Sequence, residues 1–258
     1  MGGRSRRAAD GERLGLVIDA ILKGKVPVTE DVVTSCVVGL LDKMGREYGL
    51  LAWLERARPR GAMHETLHFG PAAHAKVLYW PQTADVFVMV EDGAVAHAIV
   101  LEAKYGAQKS DWDTIDAQDL RRDQLVRYWE ALRALDMPGV SKDWLARAEK
   151  IVVYVTQHST PPVEELQESI DKSGREIRLA WLSWRDAWDL AEPFRMSGEL
   201  ATAWLLALLE HLGLTQFRGF DSASEPAVAD PLWYFDRGGF DSVAKIGVEQ
   251  ELLWRYAC

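Results

Sequence analysis

The sequence predicts an α/β chain, with a central mixed β-sheet flanked by helices and a C-terminal helical extension. Three observations predict it. The apolar runs Val86–Val90 and Ala94–Ala103 are separated by Glu91-Asp92-Gly93, a turn signal that brings the second run back antiparallel to the first. Ile151–Val155 and Ile177–Leu182 read as strands, and the segment between them, from Pro161 to about Ile170, reads as a helix; this is how a parallel pair with a crossover looks in sequence. Helical spacing of apolar residues at 29–41 and 116–135 supplies helices on either side of the hairpin.

In chain order, residues 1–12 carry Arg4, Arg6 and Arg7 among Gly, Ser and Ala, a composition that builds no core and predicts a flexible tail. Residues 13–190 form the core. Within it, Thr29 precedes Glu30, Asp31 and the spaced apolar residues Val32, Val33, Cys36, Val37, Leu40 and Leu41, the pattern of an N-capped helix with acids in its positive first turn, ending near Gly45 or Gly49. A strand covers Ala75–Trp80 until Pro81 interrupts it, and Asp85 opens the hairpin. The second helix runs from Asp116 to Leu135 on Leu120, Leu125, Tyr128, Trp129, Leu132 and Leu135, and Pro138-Gly139 stops it. Trp184–Leu190 closes the core as a helix, and residues 191–258 form a helical, aromatic-rich extension packed on the core, with Leu200–Leu212 helical, a Ser, Pro and Ala-rich linker at 221–231 and an aromatic tail.

Composition limits the functions open to the chain. With 258 residues, 48% of them hydrophobic, it can bury a sizeable core. Thirty basic against 39 acidic residues give a net charge of -9, so the overall field repels phosphates and any nucleic-acid contact needs a local basic patch, a bound cation or a partner. Cys36 and Cys258 are the only cysteines, too few for a disulfide framework. No apolar stretch approaches a membrane span, and the expectation is a soluble, cytoplasmic protein.

The residues that carry chemistry lie between 84 and 128. Glu102 and Lys104 are two apart on a strand, so their side chains leave from one face, and the hairpin brings Asp85 to the same end. Two acids and a lysine on neighbouring strands suggest a divalent-metal site; the plainer alternative is strand-end carboxylates satisfied by solvent, with Lys104 as an ion-pair partner. Gln124 and Tyr128, four apart, share a helix face. Arg58, Arg60, Arg121, Arg122 and Arg127 are the candidates for a phosphate-facing patch. Trp181, Trp184 and Trp188, at spacings of three and four, read as packing rather than base stacking, and His64, His68 and His74 complete no zinc pattern.

Taken in order, Thr83-Ala84-Asp85, then Glu102-Ala103-Lys104 17 residues further on, then Gln124-Leu125-Val126-Arg127-Tyr128, resemble the PD-(D/E)xK nuclease superfamily and its branch with a Q-x-x-x-Y helix motif. Ala84 stands where that motif usually has proline. The resemblance covers about residues 29–183 and implies a restriction-endonuclease-like core. It implies Mg²⁺, with Mn²⁺ as a substitute, held by Asp85, Glu102 and the main-chain carbonyl of Ala103, with Lys104 orienting the attacking water. Gln124 would hold substrate or a water, supported by Tyr128, and Glu30 takes the place of the opening helix's acidic residue. Arg121 and Arg127 are the nearby candidates for nucleic-acid contact. The expected activity is metal-dependent cleavage of DNA, in preference to RNA, in prokaryotic defence or repair, with a protein partner or homodimer as further possibilities and no membrane. The other reading is a nuclease-fold subunit that binds a partner with weak or no catalysis.

Overall fold

The computed structural model describes residues 14–79, 84–106 and 123–216. Helix α1 occupies residues 14–22, followed by α2 (Glu30–Leu41), α3 (Leu50–Leu54), β1 (Arg58–Gly61), β2 (His74–Tyr79), β3 (Val86–Asp92), β4 (Val95–Ala103), α4 (Gln124–Arg133) and α5 (Lys142–Arg147). Then come β5 (Glu149–Thr156), α6 (Val163–Lys172), β6 (Arg178–Ser183), α7 (Trp184–Ala191), a 3-10 turn (Glu192–Ser197) and α8 (Leu200–His211). The fold is α/β, with a six-stranded mixed sheet ordered β1-β6-β5-β4-β3-β2. β4, β5 and β6 are parallel neighbours, whereas β1 and the β2-β3-β4 meander pair antiparallel.

Both faces of the sheet are covered, which is why its central strands read as nearly unbroken apolar runs. Successive side chains alternate faces. Val86, Val88, Ile99, Leu101, Val153 and Leu182 pack in one core with α1, α2, α3, α7 and α8. Phe87, Ala98, Val100, Val152, Tyr154 and Trp181 pack in the other with α4, α5 and α6. Trp181 and Trp184 have 0% and 1% of their surface exposed, so they are core residues. Trp184 stacks on Trp53 at 5.5 Å, and Trp181 donates its indole N–H to Thr156 Oγ1 at 3.0 Å. Trp188 and Trp204 are half-buried. His64, His68 and His74 are exposed.

Several boundaries differ from the sequence expectation, each for a local reason. α2 ends at Leu41, not near Gly45 or Gly49, because the chain doubles back: a Cβ on Gly49 would sit 2.7 Å from the carbonyl oxygens of Leu41 and Gly45. The hairpin turn is Gly93-Ala94, one residue later than Asp92-Gly93, since Asp92 still pairs with Val95, and Gly93 takes the positive φ of 61° that such a turn requires. α6 starts at Val163 instead of Pro161, as a residue preceding proline is pushed out of the helical region. α4 starts at Gln124, not Asp116. Asp123 is its N-cap, with non-helical backbone and a carboxylate that accepts from the amides of Leu125 and Val126 at 2.9 and 3.4 Å. The rest of the expected helix up to residue 122, the Arg-containing tail, and the linker and aromatic tail beyond 216 lie outside the described residues. Among the described residues no helix is long and apolar enough to cross a membrane.

The second oxygen of Asp123 accepts from Ser169 Oγ on α6 at 2.8 Å, so one buried side chain both starts α4 and fastens it to its neighbour. Asp123→Ala is expected to lower stability by about 1 to 2 kcal/mol, the size of a lost cap and a buried hydrogen bond. Urea denaturation checks this, and an unchanged midpoint would show that the cap does not hold the helix.

Candidate metal centre

The antiparallel register places Val86 opposite Leu101, so Asp85, one residue before β3, falls beside the carboxyl end of β4, where Glu102 lies. Asp85 Oδ2 accepts the Ala103 amide at 2.7 Å, which ties the two strand ends together. Glu102 follows the alternation of Ala98 and Val100 and therefore faces the α4 layer, where Gln124 Nε2 donates to Tyr128 Oη at 2.9 Å. Glu30 reaches the same spot from the other layer as the first residue of α2. Its Oε1 accepts from Lys104 Nζ at 3.0 Å and its Oε2 from the Tyr105 amide at 3.1 Å. Three carboxylates from three separate elements thus offer ligand atoms within 4.8 Å of one another.

Glu102 is the most constrained of them. It is 0% exposed. Lys104 Nζ lies 2.6 Å from its Oε1, an ion-pair contact, yet neither carboxylate oxygen receives a hydrogen bond of good geometry. Burial, and next the charge of Asp85, push its pKa from 4.5 up to about 8, against the pull of Lys104 and Tyr128. Burial also raises Asp85 from 3.8 to about 6, although the Ala103 amide and Lys104 favour its ionised form. For Lys104 burial disfavours the ammonium, but Glu102 and Glu30 outweigh it and the pKa is raised. With all three carboxylates ionised, the cluster and the one ammonium of Lys104 carry two net negative charges, in a site where Asp85 and Glu102 are buried and Glu30 is half-buried. A single divalent ion balances them, and an all-oxygen donor set suits a hard cation such as Mg²⁺ or Mn²⁺.

The remaining candidates divide. Arg127 is half-buried on α4, and its Nε is buried without a hydrogen-bond partner. Arg121 and Arg122 lie outside the described residues. Arg58 is taken up structurally: it forms a forked pair with Asp186 at 2.8 and 2.9 Å and lies 4.7 Å above the Trp181 ring. Arg60 donates to the Pro59 carbonyl. A cavity of about 1140 Å³ lies elsewhere, bordered by Gly39, Lys43, His74, Tyr79 and Trp204, and none of the three carboxylates lines it.

Sequence reasoning did not single out Asp123 or Tyr154. Asp123 immediately precedes an apolar-periodic run, a readable capping signal. Tyr154 lies beside Glu102 in the sheet register and donates its hydroxyl to Glu165 Oε2 at 2.8 Å; only strand pairing could have revealed it. Comparisons of the chain with protein-family models, curated proteins and solved structures give no match.

The raised carboxyl pKa values predict an unusual pH response. In metal-free protein the folded state keeps a proton on Glu102 where the unfolded chain has released it, so stability is lost as pH rises from about 4.5 to about 8. His97, at the other end of β4, has its pKa lowered by burial and contributes a slope of opposite sign. The readout is therefore the difference between the wild type and Glu102→Gln. In chelator, the wild-type melting temperature should fall relative to the variant between pH 5 and 8, and Mn²⁺ should remove the fall. Parallel curves would mean that Glu102 is not held in this state.

Proposed function

We propose that the chain is a metal-dependent nuclease that hydrolyses phosphodiester bonds of DNA in preference to RNA, with Asp85, Glu102 and Glu30 as the carboxylates that hold a divalent ion. The observation that carries this reading is the convergence of those three groups around a fully buried Glu102 whose oxygens lack hydrogen-bond donors of good geometry. Supporting it is the order of parts: an Asp-bearing hairpin, the Glu102-Ala103-Lys104 strand end, a helix presenting Gln124 and Tyr128, and a parallel β5-α6-β6 crossover. That order agrees with a restriction-endonuclease-like core and with the PD-(D/E)xK resemblance.

A bound Mg²⁺ or Mn²⁺ supplies Lewis-acid neutralisation of the phosphoryl charge. The chain's own groups do the rest. Lys104 brings a compact positive charge to the edge of the cluster, where it orients the attacking water and offsets charge growing on the phosphoryl oxygens. Gln124, held by Tyr128, presents its amide to substrate or water. The Ala103 amide keeps Asp85 in place, and the Ala103 carbonyl would be a further main-chain ligand, as the resemblance implies. Arg127 offers its guanidinium to a neighbouring phosphate. Genome defence or repair in a prokaryote fits such an activity.

The test is cleavage of single-stranded and duplex DNA and RNA by purified protein with Mg²⁺ or Mn²⁺. Glu102→Ala and Lys104→Ala should each lower the rate about a hundredfold or more, and chelator should abolish it. Cleavage that survives both substitutions, or persists in chelator, rules the proposal out. Mn²⁺ binding without cleavage of any nucleic acid would assign the chain to the other reading, a nuclease-fold subunit that binds a partner.

A further inference from the structure

The cluster already holds a cation, and that cation is covalently attached. Lys104 Nζ bridges two of the three carboxylates, 2.6 Å from Glu102 Oε1 and 3.0 Å from Glu30 Oε1, on a side chain only 7% exposed. Glu30 Oε2 accepts the Tyr105 amide and Oε1 accepts Lys104 Nζ, so both oxygens of Glu30 already take part in hydrogen bonds. Glu30 and Glu102 both belong to the set of carboxylates whose ligand atoms lie within 4.8 Å of one another. An ammonium and a divalent ion at contact distance from the same carboxylates repel each other, and the largely buried site screens that repulsion weakly.

We propose that Lys104 is the resident counter-cation of the site, which must withdraw from Glu30 and Glu102 before those carboxylates close on a divalent ion, so that loading of the ion and release of the lysine are one event. This rests on the metal-dependent reading above. It ties activation to occupancy: Lys104 is held by carboxylates in the empty site and becomes free to face a phosphate or a water only when a double charge has taken its place. It also selects against monovalent ions. A singly charged ion from solution must compete with an ammonium of equal charge tethered beside the oxygens at high effective concentration, and gains nothing by the exchange.

The experiment is a calorimetric titration with Mn²⁺, in the absence of nucleic acid, of wild type, Lys104→Met and Lys104→Gln. The first variant keeps the length of the side chain and removes the charge; the second keeps a donor for the carboxylates. Both should bind Mn²⁺ about tenfold or more tightly than wild type, and Mn²⁺ should raise their melting temperatures by more than it raises that of wild type. Should Lys104→Met be unfolded without metal, its refolding on Mn²⁺ addition supports the proposal, and if it stays unfolded Lys104→Gln decides. Wild-type binding with equal or weaker binding by the folded variants overturns the competition and leaves the metal reading standing. Absence of Mn²⁺ binding in all three proteins overturns both.

Discussion

A carboxyl group with no exposed surface, whose oxygens lack hydrogen-bond donors of good geometry, is among the costlier features a fold can carry, and Glu102 is such a group. The arrangement around it limits that cost. Lys104, two residues on, supplies a counter-charge from the same strand, and Tyr128 favours the ionised form from the facing helix. α2 and α4 lie on opposite sides of the sheet, and both begin at this end of it, with Glu30 and Gln124 as their first residues. The partial positive charge of a helix N-terminus is therefore available from both layers, and Glu30 sits where a helix best tolerates an anion. What these devices leave uncompensated is net negative charge.

The scaffold makes room for this by being conservative everywhere else. Six strands with both faces covered supply two cores, and the connections that hold the site lie at the ends of elements, where small movements would separate its members. Asp85 to the Ala103 amide fixes β3 to β4; Glu30 to the Tyr105 amide fixes α2 to the strand end; Asp123 to Ser169 fixes α4 to α6. Each is a carboxylate accepting from a donor on another element, a charge-assisted bond worth more than a neutral one. The arginine nearest the β1 edge does similar structural service, since the Arg58 fork on Asp186 joins β1 to α7 and leaves Arg58 little freedom to meet a phosphate.

The hairpin, the parallel crossover and the placement of Asp85 beside Glu102 were legible because each depends on nearby residues: alternation, a turn glycine and a spacing of two. The Glu30 contact is harder to read, because Glu30 and Lys104 are 74 residues apart and a helix-start acid has a sufficient local explanation. α3, β1 and α5, with five, four and six residues, are too short for periodicity to accumulate and escaped notice. Arg58 resembled a candidate phosphate ligand because sequence cannot show that Asp186, 128 residues later, takes up both arms of its guanidinium. Helix boundaries shifted wherever a cap or a proline acted against the apolar pattern, as at Asp123 and Pro161.

Charge connects the local site to the whole molecule. The chain carries a net charge of -9 and the cluster itself is negative, so a nucleic-acid phosphate approaching the empty site would meet repulsion at long range and at contact. Of the arginines weighed as phosphate contacts within the described residues, Arg58 is bound to Asp186 and Arg60 to a carbonyl, which leaves Arg127 beside the α4 motif. One guanidinium is little against such a field, because phosphate-backbone affinity ordinarily comes from several cations acting together. On the proposed nuclease reading a divalent ion would take part in substrate recognition as well as in chemistry: it would neutralise the cluster and, by displacing Lys104, turn a positive charge outward. Ion first and nucleic acid second then becomes the electrostatically favoured order of assembly.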